Sequence, residues 1–318
     1  MTGSLQIKSD IYYAVLNFKD EFGKRKQKWV CLNMPVKNNK RKAEQRLTEL
    51  LAENEDTAYV EPTKTLFCDY LMDWVETSKS RVQVTTYDNY VCMLNHHIYP
   101  YFKRLGLTLN KITPTVIQKY HTDKLAEGLS PNTVIKHHAI IRSALQQAYK
   151  TKLVKENVAD LVEKPKRTKY HGNYYNAEEM KTLLAIAKGS TIETPIYLAA
   201  YFGLRRSEVI GLRWEAVDFT NCTITVKHKV VRAKQDGKMT VHATDDLKTQ
   251  ASYRMLPLND TLLTYLQELK VRQERNRKRN GSSHNHEFDG YVCVNEMGDL
   301  INPDYVTSTF EKIISSND

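Results

Sequence analysis

The run Ala199-Ala200-Tyr201-Phe202-Gly203-Leu204-Arg205-Arg206-Ser207-Glu208-Val209-Ile210-Gly211-Leu212-Arg213-Trp214 decides how the chain is read. An apolar helix over Ile196 to Tyr201 runs into Gly203, which can take positive φ and close it. Ser207 is positioned to cap a second helix, whose Val209, Ile210, Leu212 and Trp214 then face a core. Arg205 is thereby held on a rigid corner between two buried helices. A planar, always charged guanidinium in that place suits a phosphate or carboxylate, which it grips with two parallel hydrogen bonds. The plainer reading is a helix pair with the arginine salt-bridged to Glu208.

Working outward, the 318 residues allow two or three domains. Lys and Arg number 47 against 37 Asp and Glu, a net charge of +10, which favours an anionic polymer as partner. Residues 1–52 hold eleven of the cations and five of the anions, so more than half of the excess sits at the front. No apolar run is long enough to span a membrane, and the N-terminus lacks a charged-then-apolar signal pattern. The five cysteines (31, 68, 92, 222 and 293) are scattered and never paired as C-x-x-C. They read as reduced core thiols, so the expectation is a cytoplasmic protein with neither a disulfide framework nor a metal site.

Residues 11–18 and 28–34 read as a strand pair joined by a charged turn with Gly23, residues 4–8 being the sole candidate for a third strand. A helix follows from Asn39, with Ala43, Leu47, Leu50 and Leu51 on one face. Trp29 and tyrosines interleave with Lys and Arg on the strands, and Lys40 and Arg41 open the helix, a pattern suited to a DNA groove as well as to a merely solvated basic surface. Residues 53–63 are acidic and read as a linker.

From Thr65 to about Lys164 the pattern is helical. Thr113-Pro114 and Ser130-Pro131 each place a capping hydroxyl before a proline at the first helical position. Val134, His138, Ile141, Leu145 and Ala148 form a stripe, with Lys136 off it. The histidine pairs 96–97 and 137–138 are surface or core residues, because neighbours point apart on a helix. Glu163 to Gly172 is a second linker, with Lys166, Arg167 and Lys169 in a basic run.

The third region opens on a capping box at Asn176-Ala177-Glu178-Glu179. After the arginine corner, Thr223 to Arg232, Met239 to Ala243 and Ser252 to Leu258 read as strands, with a turn at Asp236-Gly237. Asp260 caps a long helix to about Asn280, and Asn302-Pro303-Asp304 starts the last one, whose Phe310, Ile313 and Ile314 are expected to form an exposed apolar patch.

Gly203-Leu204-Arg205-x-Ser207-Glu208, then Gly211-Leu212, Trp214 and Asp218, resembles the first arginine box of the tyrosine recombinases, the phage-type integrases. The resemblance follows the domain order along the chain. It implies an α+β, multidomain fold: an arm-type DNA-binding domain of sheet plus helix at 1–55, an all-helical core-binding domain at 63–165, and a partial mixed α/β catalytic domain at 173–318. By position, Arg205 matches the first catalytic arginine and Glu208 an acidic residue bracing it. Lys248, in Lys248-Thr249-Gln250-Ala251-Ser252-Tyr253-Arg254-Met255-Leu256-Pro257-Leu258, matches the hairpin lysine, with Lys234 and Lys238 as lesser alternatives and an ordinary turn lysine as the plain reading. Trp29, Lys40, Arg41, Lys136, Lys166, Arg167, Lys169 and Arg206 are DNA contacts on this reading.

In that family two arginines clamp a phosphate, a lysine protonates the leaving 5′ oxygen, and a tyrosine forms a 3′-phosphotyrosine, with no metal or cofactor. The second box, His-x-x-Arg, matches none of the ten histidines here. Tyr305 precedes the place of that box and Tyr291 reads as a core strand residue, so neither is the nucleophile. The expectation is the N-terminal part of an integrase that binds double-stranded DNA without cutting it, and without the tetramer of the intact family. The alternative is a non-catalytic regulator that occupies attachment sites; an RNA-binding module lacks the aromatic β platform it needs.

Overall fold

The structure, a computed structural model, describes residues 2–19, 25–55, 64–235, 238–245 and 253–317. The turns expected at Gly23 and Asp236-Gly237, most of the acidic linker, and Lys248 lie outside the described residues. Two compact units emerge: Met1–Arg81 with Tyr90–Lys169, and Val82–Asn89 with Tyr170–Asp318.

The first unit begins with an antiparallel sheet in the order β1 (Thr2–Lys8), β2 (Ile11–Lys19), β3 (Arg25–Pro35). The poorly marked first strand therefore exists, and it pairs Leu5 with Ala14. Helix α1 (Lys40–Glu55) covers one face, with Ala43 fully buried. Gly3 permits this approach: a Cβ there would lie 3.0 Å from Leu47 Cδ1 and 3.2 Å from Leu51 Cδ2.

Five helices follow along the chain: α2 (Phe67–Ser78), α3 (Val84–Met93), α4 (Tyr99–Leu105), α5 (Pro114–Ala126) and α6 (Pro131–Lys150), α3 belonging to the first unit only from Tyr90 onward. A π-helical turn at Leu94–Ile98 joins α3 to α4 and buries both of its end residues. Thr113 accepts from the Val116 N–H and Ser130 from the Thr133 N–H, so both hydroxyl–proline starts cap their helices. The core is aromatic, with Phe67, Phe102, Tyr101 and Tyr120 packed edge to face or tilted. His121, His137 and His138 are buried within this unit.

The second unit opens with α7 (Ala177–Ala187), whose Asn176–Glu179 capping box is complete. Helix α8 (Glu193–Phe202) stacks Tyr197 on Tyr265 of α10 (Asp260–Asn280), centroids 4.7 Å apart, and Thr194 meets the Tyr265 hydroxyl at 2.7 Å. The short helix α9 (Arg206–Gly211) leads to an antiparallel sheet ordered β4 (Val217–Asp218), β5 (Thr223–Val226), β8 (Arg254–Pro257). A separate hairpin is formed by β6 (Lys229–Gln235) and β7 (Lys238–Thr244). Helix α11 (Pro303–Ser315) comes last.

Four local expectations are corrected. The strand read over 223–232 is split at Lys227-His228, because α9 lies against it there: a Cβ on Gly211 would sit 2.6 Å from Lys229 Cα. Two helix starts shift: α9 begins two residues earlier than a Ser207 cap would give, with Arg205 at the N-cap and its N–H donating to Glu208 at 3.1 Å, and the helix from Asp260 is capped by Asn259, which accepts from the Leu262 N–H. Phe310, Ile313 and Ile314 are only partly exposed, since they pack on Leu183, Ala187, Ile192 and Ile196.

Candidate functional site

The site grows from the helix corner. Gly203 ends α8 with φ 60°, a left-handed conformation that a side chain would strain. Leu204 then drops into the core beside Val209 and Ile210. Arg205 is pointed the other way, and 70% of its side chain stays exposed.

Glu208 lies beneath it with only 3% of its side chain exposed. Its Oε1 accepts from Arg205 Nη1 at 2.9 Å, and its Oε2 accepts from Arg254 Nη2 at 2.9 Å and from the Arg205 N–H at 3.1 Å. Burial pushes the carboxyl upward in pKa, but the donors from Arg254 and Arg205 outweigh it and the net shift is downward. A buried carboxylate thus pairs with one arginine from β8 and holds one edge of the guanidinium of another. The Arg205 guanidinium is fixed in direction while its outer face meets solvent, which suits a tetrahedral anion.

A second polar chain runs behind this corner. Asp245 accepts from His228 Nδ1 at 2.5 Å; His228 Nε2 lies 3.0 Å from the Tyr291 hydroxyl, which also receives Arg213 Nη2 at 3.1 Å. His228 is 4% exposed and Tyr291 7%. The hydrogen bond from His228 is the main cause lowering the Asp245 pKa. Asp245 precedes and Arg254 follows the stretch that contains Lys248. Both flanks of that stretch are therefore tied to buried groups, the first to His228 and the second to Glu208.

The other expected DNA contacts are spread over the surface. Trp29 on β3 is 52% exposed, its ring tilted on Tyr13. Lys40 and Arg41 are exposed in the first turn of α1, Lys136 on α6, and Lys166, Arg167 and Lys169 in the extended segment after Val162. Arg206 is exposed but engaged: its Nη1 donates to Pro303 O at 3.2 Å and to Thr307 Oγ1 at 2.7 Å, at the start of α11. The Tyr305 hydroxyl meets Thr191 Oγ1 at 3.0 Å.

Arg254, His228 and Asp245 carry weight that sequence reasoning did not assign. For Arg254 a signal exists. Glu208 sits between the two buried turns of the corner, and a carboxylate so deep needs more than one exposed arginine to stay charged. For His228 the chain offers no such cue, since its partners lie 17 and 63 positions away.

An arginine braced on a helix corner with its outer face open to solvent suits the broad class of anionic ligands. Comparison with known proteins narrows the class. Residues 66–125 match the family model for the N-terminal SAM-like domain of phage integrases. A tyrosine recombinase XerC-like protein of Caldanaerobacter subterraneus subsp. tengcongensis is 23% identical over 240 residues, which cover 72% of this chain; the chain spans 59% of that relative's length. The Tn1549 transposon integrase, solved with a circular intermediate DNA, shares the fold at TM-score 0.59 and 15% identity, over 80% of this chain and 78% of its own. A lambda integrase, solved as a dimer on a COC′ core site, does so at TM-score 0.53 and 15% identity, over 98% and 80%. The matched domain and the curated relative support the tyrosine recombinase family, of the phage-integrase type, for this chain, and the solved structures support its fold.

Among the described residues no helix is long and apolar enough to cross a membrane.

Proposed function

We propose that this protein acts in site-specific DNA integration and recombination, binding double-stranded attachment sites. Arg205 grips the scissile phosphate through two parallel hydrogen bonds. Glu208 and Arg254 hold Arg205 in its productive direction, so no reorganisation is needed when charge develops on the phosphoryl oxygens. Lys248 delivers a proton to the leaving 5′ oxygen. The arm, core-binding and catalytic domains occupy 1–55, 63–165 and 173–318, and Trp29, Lys40, Arg41, Lys136, Lys166, Arg167 and Lys169 contact the duplex. Neither a metal ion nor a cofactor takes part in strand transfer.

The observation that carries this reading is the double grip on Glu208. A carboxylate buried to 3% with two arginine partners is a costly arrangement to hold merely one exposed guanidinium still, and a plain surface salt bridge needs none of it.

No histidine here has arginine three places on, and the reading assigns no nucleophile to these residues. A polypeptide of these 318 residues therefore binds DNA without cleaving it. The test uses a nicked attachment-site duplex. The expected result is a shifted band on a native gel and no covalent adduct on a denaturing one. In a recombination-competent chain that carries the His-x-x-Arg box and nucleophilic tyrosine, Arg205→Ala should abolish cleavage while sparing binding. Unchanged recombination would overturn the assignment of Arg205.

A further inference from the structure

We propose that His284, His286 and Asp289 bind one zinc ion, at a site apart from the arginine corner. The three residues lie on the loop after α10. His284 Nε2 is 3.1 Å from Asp289 Oδ1, and His286 Nδ1 is 2.9 Å from Asp289 Oδ2. One ligand atom from each lies within 4.8 Å of the others. Two imidazoles and a carboxylate form the nitrogen–oxygen donor set that zinc favours, and three protein ligands leave a fourth tetrahedral position for water. Zinc–ligand bonds of about 2.0–2.2 Å put neighbouring donors at roughly 3.3 Å; the two histidine–aspartate spacings are already near that, and the histidine pair closes from no more than 4.8 Å.

The scaffold is built around the buried ligand. The His284 side chain is 6% exposed. Gly298 passes so close that a Cβ would come within 2.6 Å of His284 Nε2 and 2.4 Å of Asn285 O. Asn285 fastens the loop twice, its N–H donating to Met297 O at 2.8 Å and its Nδ2 to Asp299 Oδ1 at 2.9 Å. His286, by contrast, is 59% exposed and supplies the entry path. The group opposed to a cation is Arg277, whose Nη1 is 3.5 Å from Asp289 Oδ2. Its Nη2 already donates to Glu274 at 3.1 Å, and the side chain is 44% exposed, so it can retreat to Glu274 when the ion enters.

A cluster held by hydrogen bonds alone is the rival account, and Zn(II) itself separates the two. The full chain, stripped with EDTA and dialysed, is titrated with zinc chloride at neutral pH, with metal content and melting temperature read out. One equivalent should be retained and the melting temperature should rise. Magnesium should give neither effect, because it prefers all-oxygen octahedral sites. His286→Ala, at an exposed position that leaves the fold intact by circular dichroism, should weaken zinc binding at least about tenfold. His242→Ala, on β7, should leave it unchanged. No retained zinc, or equal retention by His286→Ala, overturns the proposal.

Discussion

Arg254 Nη2 donates to Glu208 Oε2 at 2.9 Å, joining two residues 46 positions apart across the interior of one unit. The contact makes a strand residue part of the helix corner. It also sets how much Arg205 depends on residues outside its own motif.

Glu208→Ala should therefore cost more than a surface substitution. It removes one carboxylate partner of Arg254, whose side chain is 27% exposed, and the acceptor of the Arg205 N–H. Breaking a buried ion pair from one side costs about 3–5 kcal/mol, and the partial exposure of Arg254 places this case near the lower end. Urea unfolding should show the midpoint fall with an unchanged slope. A loss under about 1 kcal/mol would mean that the pair is no better than a surface salt bridge.

Arg254→Met should leave DNA binding near normal but loosen Arg205, because Glu208 then holds one arginine instead of two. In a recombination-competent chain the cleavage rate should drop by about 10–100-fold, less than for Arg205→Ala. Equal losses for the two variants would show that Arg254 itself touches the phosphate.

Gly211→Ala tests the split strand. The new Cβ would lie 2.6 Å from Lys229 Cα and 2.8 Å from His228 O, both backbone atoms that cannot rotate away. Overpacking of this kind costs about 1–3 kcal/mol. The melting temperature should fall, and normal stability would mean that β6 is free to shift.

The helical unit should be acid-sensitive. His137 and His138 are both held down to about 4, chiefly by burial and then by neighbouring charges, His97 foremost for the first and His121 for the second. Burial likewise lowers His97 and His121. The unfolded chain titrates near 6.5, so below that pH it binds more protons than the native unit. The stability that these neutral histidines protect is complete above about 6.5 and is lost as pH falls toward 4, on the order of 2 kcal/mol for each deeply buried ring. His138→Phe should flatten the pH profile of melting between those limits, and an unchanged profile would remove histidine from the account.

DNA affinity should fall steeply with salt. Replacing Lys166, Arg167 and Lys169 together by alanine should reduce the slope of log affinity against log salt by about 2–3, if each neutralises one phosphate. An unchanged slope would take this basic run out of the interface.

Much of this was legible beforehand because it is local. Gly203, the Thr113 and Ser130 caps, the Asn176–Glu179 box and the Arg205–Glu208 spacing each declare themselves within four residues. What escaped is what long-range packing decides. Residues 223–232 alternate like one strand, yet α9 against His228 and Lys229 breaks them in two. Arg254 reads as one more cation beside a turn until its partner is seen from 46 positions away. His284 and His286 sit in a polar stretch with no helical or strand period, and only the folded loop brings Asp289 up to both.

Arg205 and Arg206 are adjacent but serve different masters. One faces outward over Glu208, and the other is bolted to the first turn of α11 through Pro303 O and Thr307, where Asp304 also takes Arg232 at 2.6 Å. A single peptide bond separates the two attachments. Any tug on α11 is delivered to the backbone next to the Arg205 guanidinium, so the corner works as a short lever.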